Sequence, residues 1–291
     1  MIPLRDENPT HRTPVVTVLL IAACVATFVF VQPSATRSLI DEPDDAALIE
    51  EIEFSYEHAA IPCELIQGRP LAVPEVLRTL QAGDSDACIT DGEAGRALFP
   101  DKSVWRSVIV SMFLHGGWLH LAGNMVFLWV FGNNIEDHLG HLRYLVFYAA
   151  AGVVATAAHV LLALDSTVPL VGASGAIAGV MGAYLIWFPW ARVRTLILLG
   201  FIPLWPRVPA AILLVAWFLT QFWIDPNAGV AWAAHVGGFV FGAIVGIAAR
   251  QDAAFRNRLW AHRYRATGKG GWDNRRGPTL SPPGGPATTS T

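Results

Sequence analysis

Long apolar segments alternate with short polar ones along most of this sequence. The apolar segments cover residues 14–31, 108–132, 142–164, 171–188, 208–224 and 230–249. Together with its flanking residues, each has roughly the 17 to 25 residues that a helix needs to cross a bilayer. The pattern therefore predicts six membrane-spanning helices and an all-α fold.

Two stretches of the pattern allow another interpretation. The first segment resembles a signal peptide, but Asp6 and Glu7 precede it and no A-x-A cleavage site follows, so a retained helix is favoured. Residues 195–204 are apolar, but Pro203 and two further prolines interrupt the region. We therefore expect an interfacial segment there, before the fifth helix.

The charged residues are unevenly distributed. Of the 23 acidic residues, 15 lie in residues 34–104, whereas eight of the 20 basic residues lie in 250–276. Because basic loops stay in the cytoplasm, this bias predicts a multi-pass protein of the cell membrane with both termini cytoplasmic. The acidic loop would lie outside, and it gives no sign of nucleic-acid binding.

Composition supports this division of the chain. Only 15% of the residues are charged and 53% are hydrophobic, whereas soluble domains carry roughly 25% charged residues. The predicted parts are a cytoplasmic N-terminus (1–13), a first transmembrane helix (14–33), an acidic extracytoplasmic loop (34–104), a core with helices two to six (105–250) and a basic cytoplasmic tail (251–291). The tail is rich in Gly, Pro, Ser and Thr and is expected to be disordered.

The three cysteines do not form a disulfide framework. Cys24 lies in the first apolar segment and is expected to be a small core residue. Cys63 and Cys88 both fall in the acidic loop, where an oxidising compartment would permit a disulfide. The sequence does not give their separation, so a bridge and two free thiols are both open.

Polar residues recur in three of the apolar segments. Ser174 lies among glycines at the start of the fourth segment, His120 and Asn124 lie in the second, and His235 lies in the sixth. In the predicted topology these segments all enter from outside, so the four residues meet at similar depth. Polar groups are expensive to keep in lipid, which makes a functional site the first hypothesis.

Small residues indicate how the helices approach. Gly175 and Gly179 form a small-xxx-small pair on the fourth segment, and Gly238 and Gly242 share a helix face with His235. Such faces let helix backbones approach closely, which would bring the Ser174 hydroxyl within hydrogen-bond reach of His235. A serine at a helix N-terminus also lies near free N–H groups that favour an oxyanion.

Each of these signals has a structural interpretation as well. A Ser-Gly pair in a membrane helix is usually a packing feature, and a single intramembrane histidine can be a hydrogen-bonded structural residue. His115 and His120 could suggest a metal site. The sequence has no H-E-x-x-H motif and places no cysteine or carboxylate beside them, so no metal is expected.

Five ordered motifs match one known family. They are Trp105-Arg106, His115-x4-His120-x3-Asn124, Gly132-x3-Glu136-x3-Gly140, Gly172-Ala173-Ser174-Gly175 and Ala234-His235-x2-Gly238-x3-Gly242. With these motifs the chain resembles the rhomboid intramembrane serine proteases over about residues 105–249. The resemblance implies a rhomboid-like bundle of six transmembrane helices.

The resemblance also implies roles for the residues. Ser174 would be the nucleophile and His235 the general base, while His120, Asn124 and the Ser174 N–H would stabilise the oxyanion. The partners would be the lipid bilayer and transmembrane protein substrates, and neither a metal nor another cofactor would be needed.

Three of the matched residues would be structural. By the resemblance, Trp105 and Arg106 would order the outer loop, and Glu136 would order the end of the second helix. The chain departs from some members at Ala178, where they carry an aromatic ring that packs on the catalytic histidine.

Two other function classes stand beside this interpretation. One is a non-proteolytic rhomboid-like protein that binds client helices, but every catalytic position is filled here. The other is a small transporter that uses the polar cluster as a pathway; inverted repeats would favour it, and the sequence has none that we can detect.

Overall fold

The computed structural model describes residues 1–34, 36, 44–90, 94–223 and 231–251, without the side chains of Leu199 and Gln251. Residues 1–249 form one compact unit. Two expected features lie wholly or partly outside the described residues: the tail 251–291 and parts of the acidic loop 34–104.

Ten α-helices make up most of the described residues. They are α1 Val15–Ala26, α2 Asp45–His58, α3 Pro62–Gln67, α4 Val73–Ala82, α5 Val104–Ser111, α6 Trp118–Leu139, α7 His141–Leu162, α8 Ser174–Trp187, α9 Ala210–Thr220 and α10 Trp232–Gln251. A π-helical turn, Thr27–Val31, extends α1, and a 3-10 turn, Gln221–Trp223, extends α9. The expectation of a mainly helical chain is confirmed.

The second predicted segment, 108–132, has different bounds in the structure. It contains the end of α5 and most of α6, with a break between them. Gly117 lies in this break with φ 144°, a conformation that residues with a side chain rarely adopt, so a continuous helix cannot pass through it. Gly140, with φ 78°, then separates α6 from α7.

Two of the described helices are long and apolar enough to cross a membrane on length and composition alone. They are His141–Leu162 and Trp232–Arg250. The helical segments Val15–Val31, Ser174–Trp187 and Ala210–Trp223 are apolar but shorter. Helix α6 has 22 residues, but its last turns carry Glu136, Asp137 and His138.

A small antiparallel sheet lies next to this helical core and was not expected from the all-α prediction. Strand β1, Ile2–Asp6, pairs with β2, Arg192–Leu199. Strand β2 also pairs with β3, Ile202–Leu204, and with β4, Arg207–Pro209. The prediction was incomplete here because the β1–β2 pairing joins residues that are 192 positions apart (Pro3 with Thr195), and local patterning does not reveal non-local partners.

The described residues of the predicted acidic loop 34–104, called the acidic segment below, include the short helices α2, α3 and α4. Its core contains Tyr56, Ile61, Cys63, Leu71 and Val76. A disulfide joins Cys63 to Cys88, with their Cα atoms 5.8 Å apart.

Hydrogen bonds connect this acidic segment to the rest of the chain. The N–H of Leu170 donates to Ala60 O, which ties the acidic segment to the chain just before α8. Within the acidic segment, the Lys102 ammonium contacts the Glu64 carboxylate at 2.6 Å. Burial raises the pKa of Glu64 and lowers that of Lys102, while their mutual attraction opposes both shifts.

Helix α8 packs between α7 and α10 through glycines. A Cβ atom on Gly242 would lie 1.8 Å from Gly179 O, and one on Gly238 would lie 2.1 Å from Gly175 O. On the side towards α7, a Cβ atom on Gly179 would lie 2.6 Å from Ala151 Cβ. The backbones of α8 and α10 are therefore in direct contact, which positions the first turn of each helix beside the other.

Candidate active site

Ser174 is the first residue of α8. The chain reaches it through Gly172, whose φ of 123° strongly favours glycine. A Cβ atom on Gly172 would lie 2.9 Å from the His120 ring, so glycine also permits the close approach of that imidazole. The N–H of Gly172 donates to Ser111 O at 2.9 Å, which holds the segment against α5.

His235 lies in the first turn of α10 and contacts Ser174 directly. Its Nε2 atom is 2.7 Å from Ser174 Oγ, within normal hydrogen-bond distance. This contact joins two helices across 61 residues of sequence. A serine hydroxyl bonded to an imidazole nitrogen is the arrangement that a nucleophile and its general base require.

The other imidazole nitrogen of His235 contacts a residue that sequence reasoning missed. Nδ1 lies 2.7 Å from Oε1 of Gln221, which is buried in the turn after α9. The Trp217 ring, one turn earlier, lies 5.8 Å from the His235 ring between centroids. The sequence signal that could have identified Gln221 is that it is a lone amide in the apolar segment 208–224, where polar side chains are rare.

Ala178, one turn beyond Ser174, is fully buried and offers no ring to His235. The ring that some relatives would place there has a counterpart on another helix, since Trp217 packs beside the imidazole from α9. The aromatic ring beside His235 is therefore supplied by α9 rather than by α8.

His120 lies at the start of α6, on the side of the cavity facing Gly172 and Ser174. The N–H of Gly116 donates to His120 Nδ1 at 3.2 Å. In a neutral imidazole with Nδ1 as acceptor, Nε2 carries the proton and is a donor.

Asn124 is also a candidate donor. It is 7% exposed and lines the same cavity. Its Nδ2 atom has no hydrogen-bond partner among the described residues. A buried amide donor without a partner has a free-energy cost, so a group that accepts from it would be stabilised there.

These side chains line one cavity of about 560 Å³. Most of its wall is apolar, with contributions from Leu119, Phe127, Leu170, Met181 and Trp217. Ser174, His235, His120 and Asn124 are polar groups in this wall. A mainly apolar cavity with a few convergent polar groups is typical of a ligand-binding or catalytic site.

Trp105, Arg106 and Glu136, the three residues predicted to be structural, lie away from this cavity. Trp105 is 68% exposed on α5, and Arg106 lines a separate small cavity with His58 and Phe99. Glu136 is buried near the other end of α6, where its carboxylate accepts hydrogen bonds from the backbone of Val16. None of these three lines the cavity that contains Ser174.

Two groups bear on the expectation about metals. Cys63, Cys88 and Glu75 place three ligand-type atoms within 4.8 Å of one another. The two sulfurs are bonded to each other, so neither is a thiolate that could bind a metal ion. His115 is buried, with Nδ1 3.2 Å from Phe113 O, and its ring lies 5.3 Å from that of His120.

Comparison with known proteins gives a consistent match over this region. The family model described as Rhomboid domain matches residues 101–252. Rhomboid protein 1, mitochondrial, of Saccharomyces cerevisiae is 34% identical over 149 residues, which is 48% of this chain and 40% of that protein. RHOMBOID-like protein 5 of Arabidopsis thaliana is 35% identical over 94 residues, 32% of this chain and 30% of that protein.

A bacterial relative matches over a similar stretch. Rhomboid protease GluP of Bacillus subtilis is 34% identical over 102 residues, which is 35% of this chain and 19% of that protein. The chain thus spans less than half the length of each of these three relatives.

Proposed function

This chain belongs to the rhomboid family of membrane-embedded proteins, and we propose that it is an intramembrane serine endopeptidase. Its substrates would be transmembrane proteins, cut in or near their membrane segments. The observation that carries the proposal is the 2.7 Å contact between Ser174 Oγ and His235 Nε2 at the wall of a largely apolar cavity.

We further propose six transmembrane helices with both termini in the cytoplasm. They would be formed by α1 with its π turn, α6, α7, α8, α9 and α10. The disulfide between Cys63 and Cys88 supports an outer location for the acidic segment, because disulfides persist in oxidising compartments. The same segment is hydrogen-bonded to the chain before α8, so Ser174 would lie near the outer face.

Basic residues support the opposite side as cytoplasmic. Arg192, Arg194 and Arg207 belong to the sheet that follows the C-terminal end of α8. Arginines near the ends of membrane helices favour the cytoplasmic face.

The reaction begins at the Ser174 hydroxyl. His235 Nε2 removes its proton while Oγ attacks the carbonyl carbon of the scissile peptide, and the carbonyl oxygen becomes an oxyanion. His235 then gives the proton to the leaving amine nitrogen, the C–N bond breaks and an acyl-enzyme remains. A water molecule, deprotonated by the same imidazole, attacks the ester; the acid is released and Ser174 regains its proton.

Three donors are available for the oxyanion. The backbone N–H of Ser174 lies in the first turn of α8, where N–H groups have no intrahelical acceptor. His120 and Asn124 offer Nε2–H and Nδ2–H₂ from α6 at the same cavity. Each donor of this kind is typically worth about 3 kcal/mol in the transition state.

The proposal is tested by cleavage of a tagged transmembrane substrate in liposomes. Wild type is compared with Ser174→Ala, His235→Ala and the control Ser103→Ala, which alters an exposed serine. We expect the control to cleave like wild type and both dyad variants to lose at least about 10³-fold in rate.

Two results would refute this function. Cleavage that persists in Ser174→Ala would remove the nucleophile assignment. A folded wild type that cuts no substrate of a panel, but still retains transmembrane peptides in a pull-down, would instead support the non-proteolytic alternative.

A further inference from the structure

The His235 imidazole is held at both of its nitrogen atoms. Nε2 lies 2.7 Å from Ser174 Oγ, and Nδ1 lies 2.7 Å from Gln221 Oε1. Gln221 is only 4% exposed, and it occupies the first position of the 3-10 turn that follows α9. It lies outside all five sequence motifs that carry the family resemblance.

The other hydrogen bonds of Gln221 determine which end of its amide faces the histidine. Its Nε2 atom donates to Trp217 O at 3.0 Å and to Thr220 Oγ1 at 3.2 Å. A backbone carbonyl can only accept a hydrogen bond, so the NH₂ group must be on that side. The reverse orientation would place two acceptor oxygens against each other, and Oε1 therefore faces His235.

This orientation determines the tautomer of the histidine. Because Oε1 can only accept, the Nδ1 atom of His235 must carry a proton. In the neutral ring, Nε2 then has a free lone pair that points at the Ser174 hydroxyl. That tautomer is the one that a general base for Ser174 needs.

We propose that Gln221 is a positioning residue that holds His235 in its reactive tautomer and ring orientation. The inference rests on the proposed peptidase function, and it adds a residue that assists the Ser174–His235 pair. When the ring takes the serine proton, the Nδ1–H bond to Oε1 remains and the amide dipole stabilises the imidazolium.

An amide suits this position for a physical reason. A carboxylate would attract the imidazolium more strongly, but it would also place a charge in an apolar segment, which is costly without a permanent partner. Gln221 orients the His235 imidazole without introducing that charge. The Trp217 residue contributes twice, since its carbonyl orients the amide and its ring packs beside His235.

The test combines kinetics with a direct measurement of the tautomer. Gln221→Met keeps the length of the side chain but removes the acceptor, whereas Gln221→Glu keeps an acceptor. Gln81→Met is the matched control, because Gln81 is an exposed glutamine of the acidic segment. We expect Gln221→Met to lower kcat between about tenfold and 100-fold with KM changed less than about twofold. Gln221→Glu should lower the amount of folded protein because of its charge, but its folded fraction should have a higher kcat than Gln221→Met. The control should match wild type.

Nitrogen NMR of isotopically labelled histidine gives the second readout. The His235 signals are assigned by their loss in His235→Ala. Wild type should show a protonated Nδ1 and an unprotonated Nε2, and Gln221→Met should show a mixture of the two tautomers. A structural role for Gln221 alone would lower the amount of folded protein without altering this ratio.

The outcomes separate this inference from the proposed function. Wild-type spectra with an unprotonated Nδ1 on His235 would overturn the role of Gln221 even if no Gln221 variant folds, and so would unchanged kcat and tautomer in folded Gln221→Met. A correct tautomer in a wild type that cleaves nothing and reacts with no serine reagent would support the hydrogen bond but refute the peptidase.

Discussion

Glu136 and Thr17 are joined by two hydrogen bonds between α6 and the first turn of α1. The Glu136 carboxylate accepts the backbone N–H of Thr17 at 2.8 Å and its hydroxyl at 2.7 Å. It also accepts the N–H of Val16 at 2.8 Å. Pro14, which precedes α1, makes no side-chain cap, so a residue from another helix satisfies these N–H groups.

Replacement of Glu136 by alanine is expected to destabilise the protein by about 3 kcal/mol or more. The change leaves two helix N–H groups and a buried hydroxyl without their acceptor, at about 1 to 3 kcal/mol for each unsatisfied group. Thermal unfolding in detergent measures the effect. The matched change Glu53→Ala, at an exposed glutamate of α2, should shift stability little. Equal shifts for the two variants would contradict this role of Glu136.

Gly242 is expected to tolerate no side chain. A Cβ atom there would lie 1.8 Å from the backbone oxygen of Gly179, so Gly242→Ala must separate α8 from α10. Overpacking of this kind costs about 1 to 3 kcal/mol or more, and the separation would also break the contact between Ser174 and His235. Unfolding temperature and cleavage rate should fall together.

Gly123→Ala is the control for that change. Gly123 lies in a helix, but a Cβ atom there would meet nothing within 4 Å. The substitution should leave the unfolding free energy unchanged or raise it by up to about 1 kcal/mol, because alanine favours a helix. If Gly123→Ala and Gly242→Ala destabilise equally, close packing of α8 on α10 is not the cause.

The Cys63–Cys88 disulfide of the acidic segment closes a loop with a sequence separation of 25. Chain entropy alone predicts that such a closure stabilises the folded segment by about 3 kcal/mol. Reduction, or the double change Cys63→Ser with Cys88→Ser, should expose the segment to protease. Cys24→Ser should leave the response to reductant unchanged, because Cys24 is a free, buried thiol. Equal protease resistance before and after reduction would contradict the prediction.

The buried carboxyl group of Asp6 is expected to make the stability of the protein depend on pH. Burial raises the pKa of its carboxyl group to about 6, although hydrogen bonds from Tyr184 and Asn134 lower it. Between about pH 4 and pH 6 the folded protein keeps a proton that the unfolded chain has released, so stability falls as pH rises through this window. A shift of two units corresponds to roughly 3 kcal/mol.

Asp6→Asn isolates this contribution. The amide oxygen can still accept from Tyr184 and Asn134, but the group no longer ionises. The difference in unfolding free energy between variant and wild type should therefore grow in favour of the variant from pH 4 to pH 7. A difference that stays constant over this range would show that Asp6 does not titrate there.

Features of the local sequence are enough to predict the helices and the contact between Ser174 and His235. Apolar segments of helical length are visible in the chain, and the charge bias predicts their orientation. The small residues around Gly179 and Gly242 indicate which faces touch. The family resemblance, which rests on these same positions, is confirmed by the Rhomboid domain match.

Other features depend on contacts between distant parts of the chain. Strand β1 has only five residues, and its partner β2 begins at Arg192, so nothing local to either identifies the pair. Gln221 is visible as a lone amide, but only the fold shows that its oxygen faces His235. Likewise, the sequence shows only that position 178 is an alanine and carries no aromatic ring. The fold shows that the ring beside His235 comes from Trp217 on another helix.

Covalent labelling of the nucleophile tests the central claim most directly. Wild type, Ser174→Ala and His235→Ala are treated with a fluorophosphonate in detergent, and the adduct is located by mass spectrometry. We predict one adduct per chain, on Ser174, that is absent in Ser174→Ala and forms far more slowly in His235→Ala. Labelling at another residue, or equal labelling in all three proteins, would contradict the account.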